Sequence, residues 1–196
     1  PTADVSARCL SFLAQLGYDM THETVKRGIE YLREEQEADG SWFGRWGTNY
    51  VYGTWSVLCA LNAVGIPHDD PMIKRAVAYL LQFQQEDGGW GEDGATYWEG
   101  EVGAVKESTP SQTAWAILGL MAVGEVDNPA VQKGVSYLLK GDVKDGKWDE
   151  EWYTAVGFPR VFYLRYHGYS SFFPLWALSR YRNLKRGNSK DVRWGM

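Results

Sequence analysis

Cysteine is scarce: only Cys9 and Cys59 are present, at no metal-ligand spacing. Both fall among apolar residues on expected helices, so both are expected to be buried free thiols, as in a reducing compartment. Histidine is nearly as rare. His22, His68 and His167 are scattered, no His, Asp and Cys stand together as zinc ligands do, and no metal is expected. His22 and His68 lie at helix starts and should face solvent. Positive charge is not in excess, and the net charge of −5 argues against a nucleic-acid partner. Pro1–Gln15 lacks a basic start followed by an apolar stretch, so no secretory signal is read there. The longest apolar run, Ala114–Gly124, is too short to span a bilayer. There is no glycine-rich phosphate loop, and no Ser and His are arranged as a recognisable nucleophile pair. The chain begins at Pro1 without Met, which suggests a fragment or a processed chain.

Aromatic surface, by contrast, is abundant. The chain of 196 residues is 15% aromatic, with 10 Trp and 12 Tyr, in an otherwise ordinary composition of 44% hydrophobic and 23% charged residues. This length suffices for one domain with a real core. Aromatic rings carry large apolar areas and a negative π face. The surplus marks either an aromatic core or a site that uses π faces.

The sequence repeats. Lys26–Leu32 is followed by Gln36, Gly40 and Trp42, and Lys74–Leu80 by Gln84, Gly88 and Trp90. Gln132–Leu138 is followed by Asp142, Gly146 and Trp148, with Asp in the Gln position. Each unit opens on helix N-terminal signals: Thr21-His22-Glu23, Asp69-Asp70-Pro71 and Asp127-Asn128-Pro129. Val25, Ile29 and Leu32, like Ile73, Val77 and Leu80, recur at helical spacing. Asp39-Gly40, Asp87-Gly88 and Asp145-Gly146 are turn signals. Between the units lie apolar segments, Val5–Gly17, Thr54–Gly65, Thr113–Gly124 and Phe172–Tyr181, which lack strong polar faces and should be the more buried helices. The pattern predicts an all-α fold of about seven long helices in hairpins, with no convincing strand. A closed (α/α)6 barrel needs about twelve helices, so the chain is either an open arc or part of a larger α/α toroid.

In the Gln-x-x-x-Gly-x-Trp element, the Gln amide is suited to bond backbone at a helix end while the Trp covers the turn. This is stapling rather than chemistry. Two stretches look different. Ser41–Thr54 and Gly157–Tyr169 pack aromatics into glycine-broken loops, where polar residues are the rule. Aromatics there line a pocket or a domain contact, or else belong to the core. Carboxylates such as Glu34, Glu35 and Asp145 read as solvated. Asp4 precedes an apolar helix and reads first as an N-cap.

Asp39–Gly47, Ser108–Trp115 and Gly157-Phe158-Pro159 followed by Phe162-Tyr163-Leu164 and Tyr166 resemble the QW motifs and neighbouring segments of squalene-hopene and oxidosqualene cyclases. The last segment favours the bacterial squalene-hopene branch. The resemblance runs from Asp4 to about Tyr181. It implies that residues 1–182 are the C-terminal part of an α/α-barrel domain and 183–196 a polar tail. The lack of zinc ligands separates the chain from protein prenyltransferases, which share the helical toroid.

The resemblance further implies a membrane-associated triterpene cyclase of hopanoid biosynthesis, an isomerase with a hopanol-forming lyase activity. Squalene or a similar isoprenoid is protonated by an Asp-x-Asp-Asp acid and cyclised through carbocations in a dry cavity. The last cation loses a proton or captures water, giving hopene or hopanol. Rings attract such cations without trapping them. Trp46 and Tyr52 match cavity aromatics, Phe158 and Phe162 match phenylalanines near developing cations, and Tyr166 and Tyr169 match tyrosines near the initiation region. Asp4 matches an aspartate that supports the acid. Arg8 stands where the best-known pattern has a His bonded to that acid; an Arg can hold a carboxylate pair but cannot relay a proton. No Asp-x-Asp-Asp occurs in this sequence, so the fragment is expected to be inactive alone. No cofactor is implied. The full-length enzyme would sit peripherally, as a monotopic protein on the cytoplasmic face of a bacterial membrane, with homodimerisation open, while the fragment itself would be soluble. A non-catalytic helical-repeat module that binds an apolar ligand or protein, and a related cyclase acting on oxidosqualene or another terpene, remain alternatives. For Arg180, Arg182, Lys185 and Arg186, contact with anionic lipid competes with a solvated, frayed terminus.

Overall fold

The computed structural model describes residues 1–98 and 107–187. The described residues are mostly helical and include seven α-helices: α1 (Ala3–Gln15), α2 (Glu23–Glu34), α3 (Tyr50–Ala63), α4 (Pro71–Gln82), α5 (Pro110–Ala122), α6 (Pro129–Lys140) and α7 (Tyr169–Lys185). The expected start signals act as such. Asp70 and Asn128 accept hydrogen bonds from Met72 N and Ala130 N at 2.8 and 2.9 Å, with Pro71 and Pro129 opening the helices behind them. His22 caps α2 through its ring nitrogen, and both His22 and His68 are exposed.

The helices divide into two layers. α1, α3, α5 and α7 pack side by side in chain order. α2 lies on α1, α4 on α3 and α5, and α6 on α5 and α7. Composition explains the division. Every residue of α5 is buried, whereas α2 buries only Val25, Ile29 and Leu32, one stripe at helical spacing.

The repeated Gln and Trp staple these layers. The indole N–H groups of Trp42, Trp90 and Trp148 donate to the carbonyls of Leu32, Leu80 and Leu138 at 2.7, 2.8 and 2.7 Å, closing the end of each outer helix. The Gln36 amide donates to Gly40 O and across to Met72 O in α4, and Gln84 repeats this on Gly88 O and Ala130 O in α6. Gly40 and Gly88 have φ of 96° and 91°, and a Cβ there would lie 2.5 Å from Arg75 O and 2.9 Å from Lys133 O. The turn therefore needs glycine both for its conformation and for the approach of the next helix.

Several expectations are corrected. Among the described residues four short strands occur, paired as antiparallel hairpins: β1 (Val143–Lys144) with β2 (Lys147–Trp148), and β3 (Ala155–Phe158) with β4 (Phe162–Leu164). Gly157–Tyr169 is thus largely a hairpin, not a loop. α3 begins at Tyr50, so Tyr50 and Tyr52 are helical. α1 begins at Ala3, which puts Asp4 inside its first turn rather than at the N-cap. Cys59 is buried, but Cys9 is exposed because it points away from the layer that α1 covers. Arg180, Arg182 and Lys185 belong to α7, where Leu184 is buried and Lys185 reaches Asp127 at 2.6 Å, so this stretch is not a frayed end. Of the expected polar tail, residues 188–196 lie outside the described residues. Among the described residues no helix is long and apolar enough to cross a membrane.

Candidate functional site

The segment Trp42–Tyr52, from the end of the first repeat into α3, is held almost entirely by polar groups from elsewhere in the chain. Asp4 is 1% exposed. One of its oxygens accepts from Arg45 N and Trp46 N, both at 2.9 Å, and the other from the Thr2 hydroxyl and Val5 N. Asn49 turns its side chain back to accept from Gly44 N and donate to Thr96. The Tyr97 hydroxyl donates to Gly44 O and Gly47 O, and the Gln112 amide to Thr48 O. Burial pushes the Tyr97 phenol far above its ordinary range, so it acts as a neutral donor.

The hairpin β3–β4 docks on this segment. Val156 N donates to Trp46 O at 3.1 Å and Thr48 N to Thr154 O at 3.0 Å. Arg45 donates to Gly157 O, and its guanidinium lies 4.3 Å from the Trp46 ring centroid and 5.3 Å from that of Phe158. Phe162 packs on Phe158 with centroids 5.6 Å apart. Gly157 leaves room for it, since a Cβ there would lie 2.0 Å from the Phe162 ring. Trp46, Phe158 and Phe162 are therefore gathered together, yet are 49%, 57% and 45% exposed. They form a surface, not a core.

Tyr52, Tyr166, Tyr169 and Arg8 belong to a second group. Tyr52 lies 4.9 Å from Trp115, Trp115 5.7 Å from Tyr169, and Tyr169 5.1 Å from Tyr166. The Arg8 guanidinium sits 4.2 Å above Trp55, which stacks on Trp115. The run from Phe162 to Tyr166 connects the two groups. Burial raises the Tyr52 and Tyr169 phenols and pushes the Cys59 thiol up to about 12. The aromatic walls thus present π faces and neutral hydroxyls. Among the described residues no group of three His, Cys, Asp or Glu could hold a metal ion.

Sequence reading missed Arg45, Trp55, Trp115 and Phe173, which build the walls around the named residues. Those on helices read as core. It also missed Glu92, whose signal was its place two residues after a repeat Trp, matched by Glu150 after Trp148.

The comparisons with known proteins agree with one another. The family model described as squalene-hopene cyclase C-terminal domain matches residues 1–183. The chain is 59% identical over 203 residues to the squalene-hopene cyclase of Bradyrhizobium diazoefficiens, covering 100% of this chain and 30% of that protein. It is 57% identical over 197 residues to that of Zymomonas mobilis, again 100% of this chain and 30% of the relative. To the lanosterol synthase of Mus musculus it is 36% identical over 171 residues, 85% of this chain and 23% of the relative. The chain thus spans about 30% of the length of the cyclases most similar among these. The solved structure of ent-copalyl diphosphate synthase from Streptomyces platensis shares the fold, with a TM-score of 0.57 at 20% identity over 100% of this chain and 34% of that one.

Proposed function

The chain belongs to the squalene-hopene cyclase C-terminal domain family, and from this we propose that it supplies the cation-cradling wall of a triterpene cyclase. In this reading residues 1–182 contribute inner and outer helices to an α/α toroid, and the remaining barrel and the proton donor come from outside these residues. Squalene or a similar isoprenoid folds against Trp46, Phe158 and Phe162 on one side and Tyr52, Tyr166 and Tyr169 on the other. Each new carbocation is stabilised by ring faces and finds no strong nucleophile. Proton loss or water capture by the last cation releases hopene or hopanol. The complete enzyme would work at a membrane surface, where its substrate is dissolved.

One observation carries the reading: three large rings, each about half exposed, are gathered where the β3–β4 hairpin, carrying Phe158 and Phe162, docks on the segment that carries Trp46. Water-facing rings in such a group are costly unless something apolar covers them. Arg45 covers part of Trp46 and Phe158, and the remaining faces are the ones a cation would use. Asp4 serves by holding the Trp46 backbone, and Arg8 stands ready to meet the carboxylates of the acid.

The test is product analysis with squalene. A full-length cyclase carrying this chain as its corresponding third should form hopene or hopanol, and the 196-residue chain alone neither. Turnover by the chain alone would put a proton donor among these residues and contradict the assignment, as would a folded full-length enzyme that binds squalene and leaves it linear.

A further inference from the structure

We propose that Glu92 is a positioning residue for the cyclisation cavity, holding the backbone between Trp46 and Tyr52 at the end away from the Asp4 grip. The proposal rests on the reading above that these two rings line the cavity.

Glu92 is buried in the turn after Trp90, yet its carboxylate is directed at α3. One oxygen accepts from Asn49 N and Val51 N, both at 2.9 Å, and the other from the Tyr79 hydroxyl at 3.1 Å. Its own peptide is clamped by Gln112, which accepts from Glu92 N at 3.0 Å and donates to Glu92 O at 2.9 Å. The first N–H groups of a helix have no partner inside it and carry the positive end of its dipole. Asn49 is the N-cap residue of α3, but its side chain is spent on Gly44 and Thr96 and makes no cap bond. Glu92, from the next repeat, takes over that duty.

The consequence is geometric. Asp4 fixes the backbone at residues 45 and 46, and Glu92 fixes it at 49 and 51. Trp46 is attached at one grip and Tyr52 directly follows the other. Releasing Glu92 frees the start of α3 and with it Tyr52, and leaves the Trp46 segment gripped by Asp4 at one end only, while the staple of the repeat, Trp90 to Leu80, stays intact. Glu150 offers an internal control. It holds the same place after Trp148, but accepts from Ser111 N at 2.8 Å and from the Thr154 hydroxyl at 3.4 Å, neither of which lies between Trp46 and Tyr52.

The experiment uses the full-length cyclase carrying this chain, with gas chromatography of squalene products beside thermal melts. Glu92→Ala should raise the share of incompletely cyclised products about tenfold, which corresponds to about 1.4 kcal/mol on one step. Glu92→Gln can still accept both backbone bonds and should recover most of the normal ratio. Glu150→Ala should lower the melting temperature and leave the ratio alone. Should Glu92→Ala fail to fold, Glu92→Asp, which draws the carboxylate back from Asn49 and Val51, should show the same shift in products. Unchanged products in the folded Glu92 variants, with lowered melting temperatures, would overturn the proposal, as would an equal shift in Glu150→Ala. An unsubstituted enzyme that forms no cyclic product instead sinks the cyclase reading, so the two failures are told apart.

Discussion

The carboxylate of Asp4, in the first turn of α1, accepts a hydrogen bond from the backbone N–H of Trp46 at 2.9 Å, across 42 positions of sequence. The same oxygen takes Arg45 N, and the other takes Val5 N and the Thr2 hydroxyl. Three of the four partners are backbone N–H groups divided between the two oxygens, so both oxygens must accept and only a carboxylate satisfies them together. Asp4→Asn turns one oxygen into a donor and sets it against one of these pairs. An unpaired buried N–H costs about 1–3 kcal/mol. Turned so that its amide meets the Thr2 hydroxyl, Asn leaves only Val5 N unpaired. Asp4→Asn should therefore lose about 1–3 kcal/mol of stability, and Asp4→Ala, which leaves three N–H groups unpaired, more. Thermal melts of the two variants check this; an Asn variant that melts like the unsubstituted protein would contradict it.

A pH dependence follows from two buried glutamates. Burial raises Glu92 above the ordinary glutamate value of 4.5, with bonds from Val51, Asn49 and Tyr79 offsetting part of the rise. Burial likewise raises Glu150, against bonds from Ser111 and Thr154. The folded state therefore binds protons that the unfolded state has released. The stability contributed by these groups is full below pH 4.5 and is lost as pH rises through their raised folded values. Melting temperature should decline over that window, and the double variant Glu92→Gln, Glu150→Gln, which cannot ionise, should show a flatter curve. Equal slopes for the two proteins would remove these groups as the cause.

The helices and staples were legible because their causes are local. Pro71 and Pro129 behind a capping side chain, the stripe of Val25, Ile29 and Leu32, and the Gly between Gln and Trp each act within a few residues. The role of Asp4 was not legible, because its decisive partners come from a distant loop. Glu92 lies in a turn, where carboxylates are ordinarily solvated, and only the packing of the next repeat buries it. The β3–β4 hairpin is short, broken by Gly157 and Pro159, and bonded to the Trp46 loop, so it depends on a docking partner that period-2 patterning does not reveal. The aromatic content announced a π-rich site, but its division into one group around Trp46, Phe158 and Phe162 and another packed on the buried Trp55 and Trp115 required the fold.

The central claim is that the exposed rings steer carbocations while the repeat Trp residues only hold the fold. It is tested most directly by Phe162→Ala and Trp90→Ala in the full-length cyclase carrying this chain, with products separated by gas chromatography beside thermal melts. A desolvated ring face near a cation contributes on the order of 2 kcal/mol, more than tenfold on one step at about 1.4 kcal/mol per decade. Phe162→Ala should therefore divert cations to incompletely cyclised products with little change in melting temperature, since Phe162 is 45% exposed. Trp90→Ala, which empties a fully buried site and breaks the bond to Leu80, should lose about 3–5 kcal/mol of stability and keep the product ratio in the enzyme that survives. A Phe162→Ala enzyme with unaltered products and a lowered melting temperature would put Phe162 among the packing residues and contradict the account.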